Sequence, residues 1–239
     1  MKILVINSNS NTDITGQLQT VSRNLASDGT QVDAICPNWG VPSVEGSYDA
    51  VLAAHATVEL VRHHETEYDA FIIACFSDPG LFAARELTTK PVYGIAQSSM
   101  VTALSLGYKF SILSPLARFR PILENLVRLY GMESQCASVR TVEMGVSQTF
   151  TDRQQSNRAF IECGLRAIKE DGAEVICLGG AVFAGRDHEI AQELGVVCID
   201  GLSAALKTAE SNYALGYSTS KVGLFQTPKE KLRTIPWHF

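Results

Sequence analysis

The chain has 239 residues, 46% of them hydrophobic and 19% charged, enough for one large domain or for two lobes that each bury a core. Its apolar runs are broken by Gly, Pro or charge before the roughly 20 residues of a membrane span, and the opening MKILVINSNSN turns polar too early for a secretory signal, so a cytoplasmic protein is expected. Lys and Arg number 20 against 25 Asp and Glu, a formal net charge of −5 without a basic block, which argues against nucleic acid or an anionic membrane as partner and for a small-molecule substrate.

In chain order, short β-branched runs predict strands at Lys2–Ile6, Gln31–Cys36, Ala70–Ala74, Val92–Ile95, Phe110–Ser114, Ser138–Val142, Val175–Leu178 and Val196–Ile199. Between and after them, helical spacing predicts helices at Ile14–Leu25, Tyr48–His64, Gly80–Leu87, Ser98–Ser105, Pro121–Tyr130, Thr151–Glu170, Asp187–Glu193 and Leu202–Asn212. Near-continuous apolar strands alternating with helices imply an α/β fold with mainly parallel sheets covered on both faces.

A shift of about 105 positions superposes two strand–loop–strand units, one with Cys75 where its first strand ends and one with Gly180 in the same place. The spacing from Cys75 to Pro91 equals that from Gly180 to Val196, and KILVINSNS near the start is echoed by KFSILSPLA from Lys109. Two pseudo-symmetric lobes follow, the first from residues 1–96 plus about 206–239 and the second from about 97–205. Ligands of open α/β sheets sit beyond the carboxyl ends of strands, which predicts a cleft lined by Asn7–Ser10, Cys75–Asp78, Ser114–Pro115 and Gly180–Val182.

Six cysteines, Cys36, Cys75, Cys136, Cys163, Cys177 and Cys198, are spread along the chain; in a reducing compartment they are thiols, and their spacing gives no metal site. Cys75 differs from the rest by its place in Ala74-Cys75-Phe76-Ser77-Asp78-Pro79-Gly80, between an apolar strand and a helix whose first turn contains Gly80. Backbone N–H groups there favour the thiolate, the form that acts as base or nucleophile; a thiol that only ends a strand is the plainer alternative. Asn7 to Thr12 place six short polar side chains after the first strand. Helix capping accounts for Ser10, Asn11 and Thr12, while an amide such as Asn9 can donate to a carboxylate or a ring carbonyl. His63 and His64 read as a solvated helix end, and His188 is a lesser catalytic candidate. The segment Leu178-Gly179-Gly180-Ala181-Val182 matches no phosphate-loop pattern, so nucleotide binding is not expected.

At Asn7-Ser8-Asn9-Ser10, Pro42-Ser43-Val44-Glu45-Gly46, Ala74 to Gly80 and Ile199-Asp200-Gly201 the chain resembles the Asp/Glu/hydantoin racemase superfamily, in particular its hydantoin and allantoin racemase branch, from the first strand to about Val222. The resemblance implies two flavodoxin-like lobes around an active-site cleft, no metal or pyridoxal phosphate or other cofactor, and a homo-oligomer. It also implies proton removal from a carbon beside a carbonyl by one cysteine and return from the opposite face by another. The first maps to Cys75. Where the family carries Leu-Gly-Cys-Ala this chain has Leu178-Gly179-Gly180-Ala181, so the second thiol is replaced by a hydrogen atom, and strand alternation points Cys177 away from the loop tip.

General acid–base groups contribute about 10²–10⁴-fold each, so the substitution at Gly180 weakens two-base racemisation and leaves several routes open. Water in the space beside Gly180 can act as the second acid; Cys75 alone can protonate one face, as a decarboxylase requires; or Cys75 can attack a C=C or carbonyl as a nucleophile. A non-catalytic ligand-binding relative is the competing class. In each enzymatic version an anion develops on a carbonyl oxygen, for which the N–H groups of Phe76, Ser77 and Ala181, the Asn9 amide and the hydroxyls of Ser77 and Ser114 are the candidate donors.

Overall fold

Ile3 to Ile6 are all fully buried, as a central strand covered on both faces requires. The computed structural model describes residues 1–232 of the chain. Its first half runs β1 (Lys2–Ile6), α1 (Thr12–Leu25), β2 (Gln31–Ile35), α2 (Ser47–His63), β3 (Ala70–Ile73), α3 (Leu81–Leu87), β4 (Val92–Gly94) and α4 (Ile95–Ala103). The second half follows the same plan with β5 (Phe110–Ser114), α5 (Arg120–Leu129), β6 (Cys136–Thr141), α6 (Val146–Thr151), α7 (Arg153–Asp171), β7 (Val175–Leu178), α8 (Asp187–Leu194), β8 (Val197–Asp200) and α9 (Gly201–Ala214).

The strands form two four-stranded sheets, ordered β2-β1-β3-β4 and β6-β5-β7-β8, with every pairing parallel. The two orders are the same pattern advanced by one half of the chain, so the repeat read in the sequence is structural and the α/β, two-lobed expectation holds. Equivalent backbone bonds mark it: Ala74 N–H donates to the Ile6 carbonyl at 2.8 Å, and Gly179 N–H to the Leu113 carbonyl at 2.7 Å. These bonds bring the loop after β3 beside the loop after β1, and the loop after β7 beside the end of β5.

The sheets are joined by two helices that change lobe. α4 leaves β4 directly and packs on β7, β8 and α9, while α9 leaves β8 and returns to β3 and β4. The lobe boundaries expected near residues 96 and 206 fall inside these two helices, and residues 233–239 of the expected first lobe lie outside the described residues. One large apolar cluster runs through both lobes, from Ile3, Val5 and Ile72 to Ile112, Ile176 and Leu206. A smaller one covers the other face of the first sheet, with Leu4, Ile6, Phe71 and Ile73 against Val61, Leu81 and Ala84.

Several element ends differ from the sequence expectation. The strand before Cys75 stops at Ile73, which leaves Cys75 out on the loop rather than at the strand end, and α3 starts at Leu81 with Gly80 outside it. Gly80 takes a φ of 79°, and a Cβ there would meet the Ala54 carbonyl oxygen at 2.9 Å, so this turn requires glycine. The helix expected from Ser98 begins at Ile95, because the carboxylate of Asp78, distant in sequence, accepts the Ala96 and Gln97 N–H groups. The helix expected over Thr151–Glu170 is α7, which starts at Arg153 after Asp152 caps it through Gln155 N–H, and the short α6 that precedes it was not expected. Among the described residues no helix is long and apolar enough to cross a membrane.

Candidate active site

A cavity of about 60 Å³ lies between the carboxyl ends of the two sheets. The loops after β1, β3, β5 and β7 converge on it with Asn9, Cys75, Phe76, Ser114, Gly180 and Ala181, six of the seven residues expected from the sequence. The seventh, Ser77, stands behind Cys75, with its Oγ 3.5 Å from the Cys75 Sγ. Of the flanking residues expected in the cleft, Pro115 and Val182 line the cavity; Asp78 is buried away from it. Cys177 is fully buried in the core, as strand alternation requires, and His188 is exposed and does not line the cavity.

The polar wall is built by local hydrogen bonding. Asn11 caps α1 by accepting from Asp13 and Ile14 N–H, the role expected of it. Asn7 is fully buried and donates to Asn9 Oδ1 at 3.0 Å, and Asn11 N–H donates to the same oxygen at 2.9 Å. Two donors thus fix Oδ1 of Asn9, a residue that lines the cavity. Across from it, Ser114 ends β5 with its hydroxyl buried and without a partner among the described residues. Ser114 is among the residues that line the cavity, and a buried hydroxyl left unpaired costs about 1–3 kcal/mol.

Burial pushes the Cys75 thiol above its ordinary value; hydrogen bonds from the Ser77 side chain and backbone act the other way, and the nearby Asp78 carboxylate adds to the rise. The sequence expectation that backbone N–H groups favour the thiolate is thus met in kind but outweighed: desolvation is the larger effect. Cys75 is the sole titratable side chain among the residues that line the cavity. Gly180 faces the same space with an extended backbone, φ 178°, that any residue adopts, and a Cβ there would make only ordinary contacts, at 3.4 Å with Val182 and 3.5 Å with Phe183.

The remaining wall is apolar and was not foreseen as such. Ile14 of α1, Val44, Leu116, Phe119 and Val146 of α6 close the cavity from the side. Val44 lies in the Pro42 to Gly46 segment that carried part of the family resemblance, the only sequence signal that touched this wall. Among the described residues no group of three His, Cys, Asp or Glu side chains is gathered where a metal ion could be held.

Residues 3–209 match the family model described as Asp/Glu/Hydantoin racemase. The chain is 40% identical over 232 residues to the hydantoin racemase of Pseudomonas sp. (strain NS671), covering 97% of this chain and 93% of that one. Its structure superposes on allantoin racemase from Pseudomonas fluorescens with a TM-score of 0.95 at 38% identity, over 98% of this chain and 100% of the other. An arylmalonate decarboxylase structure, at 15% identity and a TM-score of 0.60 over 88% of this chain and 92% of that one, shares the fold. A two-lobed α/β chain matched over nearly its whole length in sequence and in structure, with the matched loops closing one cavity, belongs to the Asp/Glu/hydantoin racemase family.

Proposed function

We propose that the protein is a cofactor-independent racemase of a hydantoin-like carbon acid, with Cys75 as the proton-transferring thiol. The observation that carries this is the convergence on one cavity of Cys75, the oriented Asn9 amide and the unpartnered Ser114 hydroxyl. In this reading the Cys75 thiolate takes the proton from the ring carbon beside the carbonyl, and the electron pair moves onto the carbonyl oxygen. Asn9 Nδ2, the Ser114 hydroxyl and the N–H groups of Phe76 and Ala181 receive that charge, while Ser77, bonded to the thiol, stays with the sulfur; one such donor contributes about 2.7–4 kcal/mol. Return of the proton from Cys75 restores the starting enantiomer. Inversion needs an acid on the other face, supplied by water in the space beside Gly180, and solvent then carries the thiol proton to the hydroxide left behind.

The apolar wall of Ile14, Val44, Leu116, Phe119 and Val146 favours a hydantoin with an alkyl or aryl substituent over allantoin, whose ureido group would leave donors and acceptors unpaired there. A second reading is favoured by Cys75 standing alone as a titratable group on the cavity: a decarboxylase needs a proton on one face only.

The test is a panel of 5-alkylhydantoins, allantoin and an arylmalonate in D₂O, followed by chiral chromatography and mass spectrometry. Deuterium entry with loss of optical purity, abolished in Cys75→Ser, is the expected result for the alkylhydantoins. Release of CO₂ from the malonate without hydantoin exchange supports the decarboxylase instead, and neither reaction with an unreactive Cys75 supports a binding protein.

A further inference from the structure

The loop that carries Cys75 is gripped at Asp78, and the grip uses a residue of the other lobe. Asp78 is a non-glycine residue at φ 45°, a conformation that costs roughly 1–2 kcal/mol, and it is 5% exposed. Its N–H donates to the Cys75 carbonyl at 2.9 Å, so one tight turn separates its carboxylate from the thiol-bearing residue. That carboxylate accepts from Ala96 N–H at 3.0 Å, Gln97 N–H at 2.8 Å and Tyr130 Oη at 2.7 Å. Tyr130 follows α5 in the second lobe, yet its ring sits 6.3 Å from that of Phe82 and packs against the outer apolar cluster of the first sheet.

The second lobe contains the comparison. There Asp200 precedes α9 and accepts from Leu202 N–H at 2.9 Å, Ser203 Oγ at 2.7 Å and Gly185 N–H at 3.1 Å, the last on the loop that follows Gly180. In both lobes a buried carboxylate fastens a cavity loop to the start of a lobe-changing helix. Asp200 finds its donors beside its own helix and loop; Asp78 takes one from across the interface. Asp200 stands at a different place in its lobe, directly before its helix, and is satisfied without a donor from the other lobe; Asp78 instead uses Tyr130, which ties the Cys75 loop to the second lobe.

We propose that Tyr130 positions the Cys75 thiol from across the lobe interface, acting through the Asp78 carboxylate. The groups facing that carboxylate are the Tyr130 hydroxyl from α5, the N–H groups of α4, Cys75 in its own loop and the Arg85 guanidinium of α3. Arg85 spends its hydrogen bonds on the Val92 carbonyl and Gln97 Oε1 instead. Without the Tyr130 donor the carboxylate is protonated more readily, and a protonated oxygen no longer accepts an N–H of α4. The turn from Cys75 to Asp78 then slackens and the negative charge beside the thiol fades; both changes make the sulfur easier to alkylate while spoiling its aim.

The activity arm of the test rests on the racemase reading; the labelling arm does not. Tyr130→Phe keeps the ring packing and removes only the hydroxyl, and Asp78→Asn provides a second variant. Labelling of Cys75 by iodoacetamide, resolved from the other cysteines by peptide mass spectrometry, is expected to run about 3-fold faster or more in Tyr130→Phe, with its pH profile moved to lower pH. Deuterium exchange of an alkylhydantoin is expected to fall about 10-fold in kcat with KM little changed, since a small misplacement of a reacting group costs up to about 100-fold. Labelling rates and profiles equal to those of the unmodified protein in both variants would overturn the proposal. Faster labelling in a protein that exchanges no hydantoin supports the positioning role and removes the racemase reading alone.

Discussion

Gly180 stands beside Phe183 with room for one more carbon. A Cβ there would lie 3.5 Å from the ring, and the extended backbone of Gly180 carries no strain for a larger residue. Gly180→Cys is therefore expected to fold with stability within about 1 kcal/mol of the unmodified chain. It places a second thiol on the cavity, and racemisation of an alkylhydantoin, followed by polarimetry, is expected to rise by about 10²-fold. An unchanged rate in the folded variant would mean that the acid on the far face does not limit inversion.

The isotope pattern of the unmodified protein follows from the same asymmetry. With one titratable side chain on the cavity, deuterium from D₂O should enter one enantiomer with retention faster than that enantiomer is inverted. In Gly180→Cys the two rates should approach one another. Inversion that keeps pace with exchange in the unmodified protein would show that a second acid already works as well as a thiol.

Ser114→Ala separates a ligand-directed hydroxyl from a structural one. The buried Oγ has no partner to lose, so the urea midpoint should stay the same or rise. Turnover should fall about 100-fold, in kcat more than in KM, as for loss of an oxyanion donor. Loss of stability with full turnover would place Ser114 in the scaffold only.

Burial raises several thiols, with Cys198 pushed up to about 12 and Cys136 to about 11. In the unfolded chain these groups titrate near 9, so above that pH the native state holds protons that the unfolded state has released. Stability from these groups is complete below pH 9 and is lost as pH rises toward 11 and 12, at up to about 1.4 kcal/mol per pH unit for the buried Cys198. Urea midpoints at pH 8, 9.5 and 10.5 should fall in that order. Turnover should move the opposite way over the lower part of this range, because the raised Cys75 thiol is a base only once ionised.

Gly94→Ala tests the fit of Asp78 against the start of α4. A Cβ at Gly94 would come within 2.2 Å of the Asp78 carboxylate carbon, so the carboxylate or the helix start must move. A loss of about 3 kcal/mol is expected, with Cys75 labelled faster than in the unmodified chain. A fully stable Gly94→Ala would show that Asp78 has slack to give.

The repeat was legible because it is written in local pattern. Cys75 and Gly180 stand at equivalent places in the two halves, as the bonds of Ala74 to Ile6 and of Gly179 to Leu113 make plain. The polar cavity residues Asn9, Cys75, Ser114 and Gly180 follow from the rule that loops at the carboxyl ends of parallel strands meet. Ile14, Val44, Leu116, Phe119 and Val146 did not, because an apolar residue looks the same in a sequence whether it faces the core or a substrate. Asp78 was placed in the cleft on the strength of its loop. Its positive φ and its bonds to α4 and Tyr130 bury it elsewhere, and no neighbour in sequence announces those partners.

The sequence by itself determined the alternation of strands and helices, the two-fold plan and the thiol that stands at a loop tip, all of which depend on spacing along the chain. Only the tertiary structure decided that burial raises the Cys75 thiol, that Asn9 Oδ1 is held by two donors, that α4 starts at Ile95 and that Tyr130 reaches across to Asp78. Each of these depends on which atoms exclude water or offer a hydrogen bond, and periodicity carries no record of such partners.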